Sequence, residues 1–377
     1  MSSNKIIRGV TVSMSVGFFD GLIPELREMG YEVVSVSSDG PELERVRNAG
    51  GRAIVVPMER HISPVKDIKS LWQMIRVFRH ERPSMVHSMT PKAGLVCMIA
   101  AMLTRVPVRV HTFTGLVFPT ATGLKRQILM ATDRLTCACA THIIPEGEGV
   151  KADLLNNNIT RKPIRVLGHG NCRGIDLERF NPADESLNSV AETIRKPESF
   201  TFIFIGRIVR DKGINELAEA FSRLYNECPD SRLILVGPYE DNLDPISSQT
   251  HQTINSCPGI EAVGEQKDVR TWLLASDAFV FPSYREGFPN VVIEAGAMGL
   301  PSIVTDINGS REIIMEGRNG TIIPPRDAEA LYKAMKSFID HPTKTASMAA
   351  QARPLIASRY EQSYVRQCLK DFYKEIM

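Results

Sequence analysis

Hydrophobic and polar positions in the first half of the chain fall into short apolar runs separated by longer stretches with helical spacing. The runs Arg8–Ser13, Glu32–Val36, Arg52–Val56, Ser84–Ser88, Val106–Thr112, Thr141–Ile144 and Ile164–Leu167 have strand length and are predicted as strands. Between them, Phe19–Met29, Pro41–Ala49, Val65–His80, Lys92–Leu103 and Gly123–Cys139 are predicted as helices. Such alternation predicts an α/β architecture with a doubly wound parallel sheet buried on both faces. The pattern breaks at 168–182, where glycines and polar residues crowd together, and a polar segment runs on to Ser199. It restarts with Thr201–Ile205, Leu233–Val236, Gly259–Val263, Asp277–Phe281, Pro301–Thr305 and Thr321–Pro324, and is helical from Ala328 onward. Two domains are therefore expected, 1–180 and 181–360.

Composition agrees with two domains, since 377 residues exceed what one core usually holds. Lys plus Arg number 45 against 43 Asp plus Glu, and a net charge of +2 calls for no nucleic-acid partner. Of seven cysteines only Cys137 and Cys139 lie close together, which is neither a disulfide framework nor a zinc spacing and points to a reducing compartment. The amino-terminal residues lead into no signal-peptide core, and no apolar stretch reaches the roughly 20 residues of a membrane helix, so a cytoplasmic protein is expected. Asp241 and Asp244 lie in a polar loop and make no metal pair; no metal site is expected.

The candidate chemistry gathers at strand ends. Asp277–Phe281 leaves its sheet at Pro282, Glu286 follows in the loop, and a helix from Asn290 places Glu294 about one turn in. The amides of Phe288, Asn290 and Val291, with Pro289 between them, would be unpaired at that helix start and form an anion site flanked by two acids. An acid beside an anion is repelled unless it accepts hydrogen bonds from hydroxyls, and one acid for a ribose and one for a hexose would suit a nucleotide sugar. The spacing equally allows Glu286 as a solvated loop acid and Glu294 as a helix-surface acid. Gly206 and Arg207 follow the run Thr201–Ile205, and Lys212 precedes the next helix; both cations either neutralise a diphosphate or form a solvated basic loop.

In the first half, His111 ends an apolar strand and precedes Thr112-Phe113-Thr114-Gly115, a position expected to face a cleft between the domains; a lone histidine is more often structural than functional. Lys92 begins a helix, as an anion contact or a surface lysine. Leu71, Trp72, Ile75 and Phe78 recur at helical spacing beside Arg76, Arg79 and Arg82, and Leu124–Leu135 carries Lys125, Arg126 and Arg134. Each stripe reads as a core face or as contact with an anionic membrane.

Pro282-Ser283, then Glu286-Gly287-Phe288-Pro289-Asn290, then Glu294-Ala295 and the Gly299-Leu300-Pro301 close resemble the acidic signature of the retaining glycosyltransferases of family 4, two glutamates with seven residues between them. Gly206-Arg207 with Lys212-Gly213 is similar to that family's donor-diphosphate site, Gly174-Ile175-Asp176 with Phe180 to its interdomain segment, and His111 to its first-domain histidine. The resemblance implies the GT-B fold: two Rossmann-like domains facing a cleft, with a C-terminal helix, 361–377, crossing back to the first. It implies a UDP-sugar donor, with Glu286 on the donor sugar, Glu294 on the ribose, and Gly206, Arg207, Lys212 and the Phe288–Val291 turn on the diphosphate. His111 would orient the donor and stabilise charge. Gly17 would line the phosphate or acceptor side, in a loop whose usual glycine pair is reduced to one, and 259–265 would hold the uracil.

The stretch His87–Gly94 looks like that of bacterial members that extend capsule, O-antigen or lipid-linked oligosaccharides, which implies a glycan acceptor on a polyprenyl diphosphate. Such an acceptor favours peripheral contact with the inner face of a membrane. No cofactor is implied. A UDP-sugar epimerase, a glycan phosphorylase, or an inactive sugar-nucleotide-binding subunit would share the same fold.

Overall fold

The computed structural model describes residues 4–59, 61, 63–240, 242 and 244–377; Asp241 lies outside the described residues. The chain divides into two units, Met1–Gly174 with Ser363–Met377, and Ile175–Gln362. The division falls at Gly174 rather than after residue 180. Ile175 and Phe180 are buried in the second unit's core, and Ile175 exchanges backbone bonds with Tyr360 and Gln362.

The first unit holds a parallel sheet of β1 (Lys5–Gly9), β2 (Glu32–Ser37), β3 (Arg52–Val55), β4 (Met85–Met89), β5 (Val108–Phe113) and β6 (His142–Pro145), in the order β3-β2-β1-β4-β5-β6. Its helices are α1 (Ile23–Glu28), α2 (Leu43–Asn48), α3 (Pro64–Glu81), α4 (Pro91–Leu103), α5 (Gly123–Cys139) and α6 (Glu148–Asn156). Because side chains alternate across a strand, Ile7, Val34, Val86 and Ile143 enter the core under α3, α4 and α5, while Ile6, Val33, Met85 and Ile144 enter the core on the other face. The C-terminal helix (Gln362–Ile376) covers that second face through Phe372 and Tyr373. Its Tyr373 hydroxyl accepts from Arg8 Nη1 at 2.7 Å and meets His87 Nδ1 at 2.5 Å, and both partners are buried.

Three expectations shift here. The first strand runs Lys5–Gly9, not Arg8–Ser13, because its register is set between β2 and β4; Ser13–Phe18 coils into a short 3-10 helix instead. Ile164–Leu167 forms no strand: only Ile164 bridges, to Ile143, since Pro163 has no amide to donate to a ladder. The stripe Leu71, Ile75 and Phe78 faces the core, and Trp72 alone of that set is exposed, at 59%.

The second unit repeats the plan with β7 (Phe200–Ile205), β8 (Ser231–Val236), β9 (Ile260–Gly264), β10 (Ala278–Phe281), β11 (Ser302–Thr305) and β12 (Gly320–Ile323), ordered β12-β11-β10-β7-β8-β9. Its helices are α7 (Glu185–Ile194), α8 (Ile214–Glu227), α9 (Ser248–Ser256), α10 (Arg270–Leu274), α11 (Asn290–Ala297), α12 (Ser310–Ile313), α13 (Ala328–Asp340) and α14 (Pro342–Tyr360). Three helices of this unit are absent from the expectation, α7, α9 and α12, the last in what reads as a polar loop; the first two start on side-chain caps, where Asp184 accepts from the Ser186 amide and Ser247 from the Thr250 amide. Each sheet reverses strand order once, between β1 and β4 and between β7 and β10, and at such a switch point the loops leaving adjacent strands part to form a crevice.

Candidate functional site

In the second unit the loops after β7 and β10 leave adjacent strands at the switch point. The first carries Gly206 and Arg207, then a 3-10 turn Arg210–Lys212 that Gly213 closes at φ 73°. Only glycine fits there: a Cβ on Gly213 would stand 2.1 Å from the Pro282 carbonyl oxygen, besides needing a left-handed backbone. The same close approach lets the Tyr284 amide donate to the Asp211 carbonyl at 2.8 Å, so the two loops are sewn together.

That sewing brings Lys212 onto Glu286. Lys212 Nζ donates to Glu286 Oε1, Ser283 Oγ donates to the same oxygen at 2.9 Å, and the ammonium sits 5.3 Å from the Phe281 ring centroid. Both side chains of the pair are largely buried. Ser283 is fully buried and its carbonyl accepts from Thr305 Oγ1, which fixes the hydroxyl that orients Glu286. Arg207 does not join this pair; its guanidinium donates to Glu240 Oε2 at 2.6 Å and stays about half exposed. The loop's other charges also pair: Arg285 with Asp211 at 3.1 Å and Arg210 with Asp244 at 3.0 Å.

After Phe288 and Pro289, both buried, α11 opens at Asn290, and the Val292 amide is already bonded to the Pro289 carbonyl at 3.1 Å. Asn290 and Glu294 are four residues apart and both half-buried, so they share one face of α11, with Val291 beside them in its first turn. The helix start therefore stands over the β10 exit, next to the Lys212–Glu286 pair in the chain. Sequence reasoning treated Lys212 and Glu286 as separate ligands; a separation of 74 residues hid their contact.

In the first unit, His111 lies at the end of β5 and is 1% exposed. Its Nδ1 meets Ser88 Oγ at 2.8 Å, its ring stands edge-on to Phe113 at 4.5 Å, and a Cβ on Gly94 of α4 would come within 2.3 Å of the ring. Burial pulls its pKa down to about 3. The imidazole is neutral near pH 7, so what this ring offers is one hydrogen bond through Nε2, which has no protein partner among the described residues, rather than a full positive charge. Gly17 lies in the 3-10 helix Ser13–Phe18, and a Cβ there would meet nothing closer than Arg45 at 3.9 Å, so packing does not demand its glycine. Lys92, a candidate anion contact, is spent on Asp67 at 2.6 Å. At this unit's own switch point Thr11 and Thr90 close the loops on each other, hydroxyl to hydroxyl at 2.8 Å. Among the described residues no cluster of His, Cys, Asp and Glu suits a metal ion.

Neutral burial has a pH signature. His111 and the fully buried His87, lowered by burial and then by the Arg8 charge, take up a proton only on unfolding. The unfolded chain binds more protons below its ordinary histidine value of about 6.5, so stability falls as pH drops from about 6.5 toward 4.5, by about 1.4 kcal/mol per pH unit for each histidine. Thermal melts across that range should show the fall, and H111Q should flatten it; an unchanged slope in H111Q would mean that the ring is already charged in the folded state.

The domain pattern described as Glycosyl transferase 4-like domain matches residues 18–170, and that described as Glycosyl transferases group 1 matches 199–341. A capsular polysaccharide biosynthesis glycosyltransferase of Staphylococcus aureus is 32% identical, over 100% of this chain and 98% of its own length. A UDP-Gal:alpha-D-GlcNAc-diphosphoundecaprenol alpha-1,3-galactosyltransferase of Escherichia coli is 30% identical, over 77% of this chain and 75% of its own. Anabaena HepE, solved in complex with UDP, superposes with a TM-score of 0.81 at 16% identity, over 98% of this chain and 99% of that one; the likeness is one of fold, GT-B. With a relative matched from end to end and both domain patterns present, the chain belongs to the glycosyltransferases that join a 4-like first domain to a group 1 second domain.

Proposed function

We propose that the protein transfers a hexose or N-acetylhexosamine from a UDP-sugar to a glycan acceptor carried on a polyprenyl diphosphate, with retention of configuration and without a metal ion. The observation that carries this reading is the Lys212–Glu286 pair at the β7/β10 switch point, beside the start of α11. A cation there meets the diphosphate, and a carboxylate held by Ser283 meets the sugar hydroxyls. Arg207 and the amides about Gly206 and Phe288–Val291 take the remaining phosphate oxygens, and Glu294 takes the ribose. The Escherichia coli relative's own donor and acceptor, UDP-Gal and a diphosphoundecaprenol-linked sugar, support the substrate class.

Retention needs the acceptor hydroxyl to arrive on the face from which UDP leaves. With Glu286 engaged by Lys212 and the donor hydroxyls, it is not aligned as a nucleophile behind the anomeric carbon, so front-face attack follows: the departing phosphate takes the acceptor proton. Lys212 and Arg207 stabilise the charge growing on UDP, which is the work that a metal would otherwise do. His111 supplies a hydrogen bond from a neutral ring. A panel of nucleotide sugars should raise the melting temperature selectively for the UDP series, about 2.7 kcal/mol of stabilisation at a hundred times Kd. UDP should then be released only when acceptor is present. Acceptor-independent turnover would favour an epimerase, stabilisation by UDP-sugars without any turnover would favour an inactive sugar-nucleotide-binding subunit, and no stabilisation by any UDP-sugar would overturn the donor class.

A further inference from the structure

Between Ser283 and Glu286 stands Tyr284, a side chain that the donor reading leaves unused. Its hydroxyl donates to the Glu216 carboxylate and lies 2.6 Å from both oxygens, across 68 positions of the chain. Glu216 is the third residue of α8, whose cap, Gly213, has no side chain. A glutamate in that place ordinarily folds back on the cap amide. Here the Gly213 amide already donates to the Arg210 carbonyl at 2.9 Å, and Glu216 turns to the phenol instead. Among the described residues Glu216 has no other polar partner. Burial and then the Glu216 carboxylate hold the phenol's pKa above its ordinary value, so it remains a donor near neutral pH.

That bond fastens the loop to a rigid element. α8 is seated in the second unit's core through Leu217, Phe221 and Leu224, so Glu216 is a fixed point. The Tyr284 amide, donating to the Asp211 carbonyl at 2.8 Å, ties loop to loop; the phenol ties the loop to a helix. Arg285 adds an ion pair with Asp211 at 3.1 Å that is open to solvent and contributes little. From the loop after β12, Arg326 lays its guanidinium 4.7 Å from the Tyr284 ring centroid. With hydroxyl and ring both engaged by protein, Tyr284 acts through its chain neighbours. Ser283, one residue before it, donates to Glu286 Oε1 at 2.9 Å, and Glu286 follows two residues after. The same trio recurs at the other end of α8, where Tyr332 donates to Glu227 at 2.7 Å with the Arg223 guanidinium 3.9 Å from the ring centroid. No residue of the donor loops belongs to that second trio.

We infer that Tyr284 is a positioning residue of the donor site: by gripping Glu216 it sets where Ser283 and Glu286 stand, and with them the place at which the donor sugar's hydroxyls are met. The inference rests on Glu286 as the sugar ligand and deepens that reading. Misplacing a group that orients a substrate is felt in the rate, because the reacting atoms leave their aligned arrangement while contacts to the rest of the substrate persist. In the reading above, base, ribose and diphosphate are met by other residues, so loss of the phenol should separate turnover from UDP affinity. A phenol that served the fold alone would change stability and nothing else, as is expected at Tyr332.

The test compares the full chain with Y284F and Y332F, each of which takes one phenol hydroxyl from one carboxylate at an end of α8. Both should melt about 2–4 °C below the parent. With the UDP-sugar selected by the melting panel at saturation and a short-chain polyprenyl-diphosphate acceptor, Y284F should turn over about tenfold more slowly, yet bind UDP in calorimetry as the parent does. Y332F should turn over at the parent's rate. E216L should lose as much as Y284F, and the double variant Y284F/E216L no more than either; E216Q, whose amide oxygen still accepts from the phenol, should recover most of the loss. Amide hydrogen exchange across 283–287 should quicken in Y284F and stay unchanged in Y332F. Parental turnover in Y284F, an equal loss in Y332F, or a parallel loss of UDP affinity overturns the inference. A parent that transfers no sugar overturns the proposed reaction instead, and the exchange of 283–287 then decides whether Tyr284 holds the loop.

Discussion

K212A is expected to lower turnover by about a hundredfold to a thousandfold while leaving the affinity for plain uridine unchanged. A cation aimed at a leaving diphosphate interacts more strongly in the transition state than before it, so its removal appears in kcat rather than in the binding of the base and ribose. In this protein the loss is compounded. Lys212 Nζ also donates to Glu286 Oε1, and without it that largely buried carboxylate keeps only the Ser283 hydroxyl. Single-turnover rates at saturating donor, with uridine and UDP titrated by calorimetry, separate these effects. A parallel loss of uridine affinity would show that Lys212 shapes the nucleoside pocket and would remove it from the diphosphate.

E286Q distinguishes the two retaining routes. If Glu286 only holds the donor sugar, the amide keeps an oxygen for the Ser283 hydroxyl and nearly the same shape, so donor binding survives and turnover falls by about tenfold to a hundredfold. A nucleophile replaced by an amide could not attack; the rate would collapse and azide would restore it with an inverted sugar azide as product. Mass spectrometry of the parent protein with donor alone is the independent check, since a glycosylated peptide containing Glu286 would sink front-face attack. The Lys212 contact argues for the first outcome, because a carboxylate oxygen already accepting from an ammonium and a hydroxyl has fewer free lone pairs with which to attack.

Much of the second unit was legible because its signals are local. A fully buried strand such as Phe200–Ile205 is a run of apolar residues whatever surrounds it, and Gly213 announces a turn by its own conformational range. The helix at Asn290 was readable for the same reason. The missed helices α7 and α9 carried a signal too, in the caps Asp184 and Ser247 and, for α7, in Leu187, Ala191 and Ile194 at helical spacing, but each is short and set in a mostly polar stretch that reads as loop. Ile164–Leu167 failed in the opposite sense: the composition of a strand is present, and no neighbour comes into register beyond Ile164.

By itself, the amino-acid sequence determined that this chain folds as two parallel α/β units, and which residues stand at the strand ends where ligands bind, because strand, helix and turn follow from spacing along a few residues. The tertiary structure alone decided how those residues are engaged. Lys212 and Glu286 meet across 74 positions, His111 is neutral because α4 and Phe113 enclose it, and Lys92 is already paired with Asp67. It also decided that the core takes Phe78 and leaves Trp72 outside, and that Tyr284 reaches Glu216 across 68 positions. Charge state, pairing and exposure depend on neighbours distant in the chain, and the periodicity of a sequence holds no record of which distant neighbours those are.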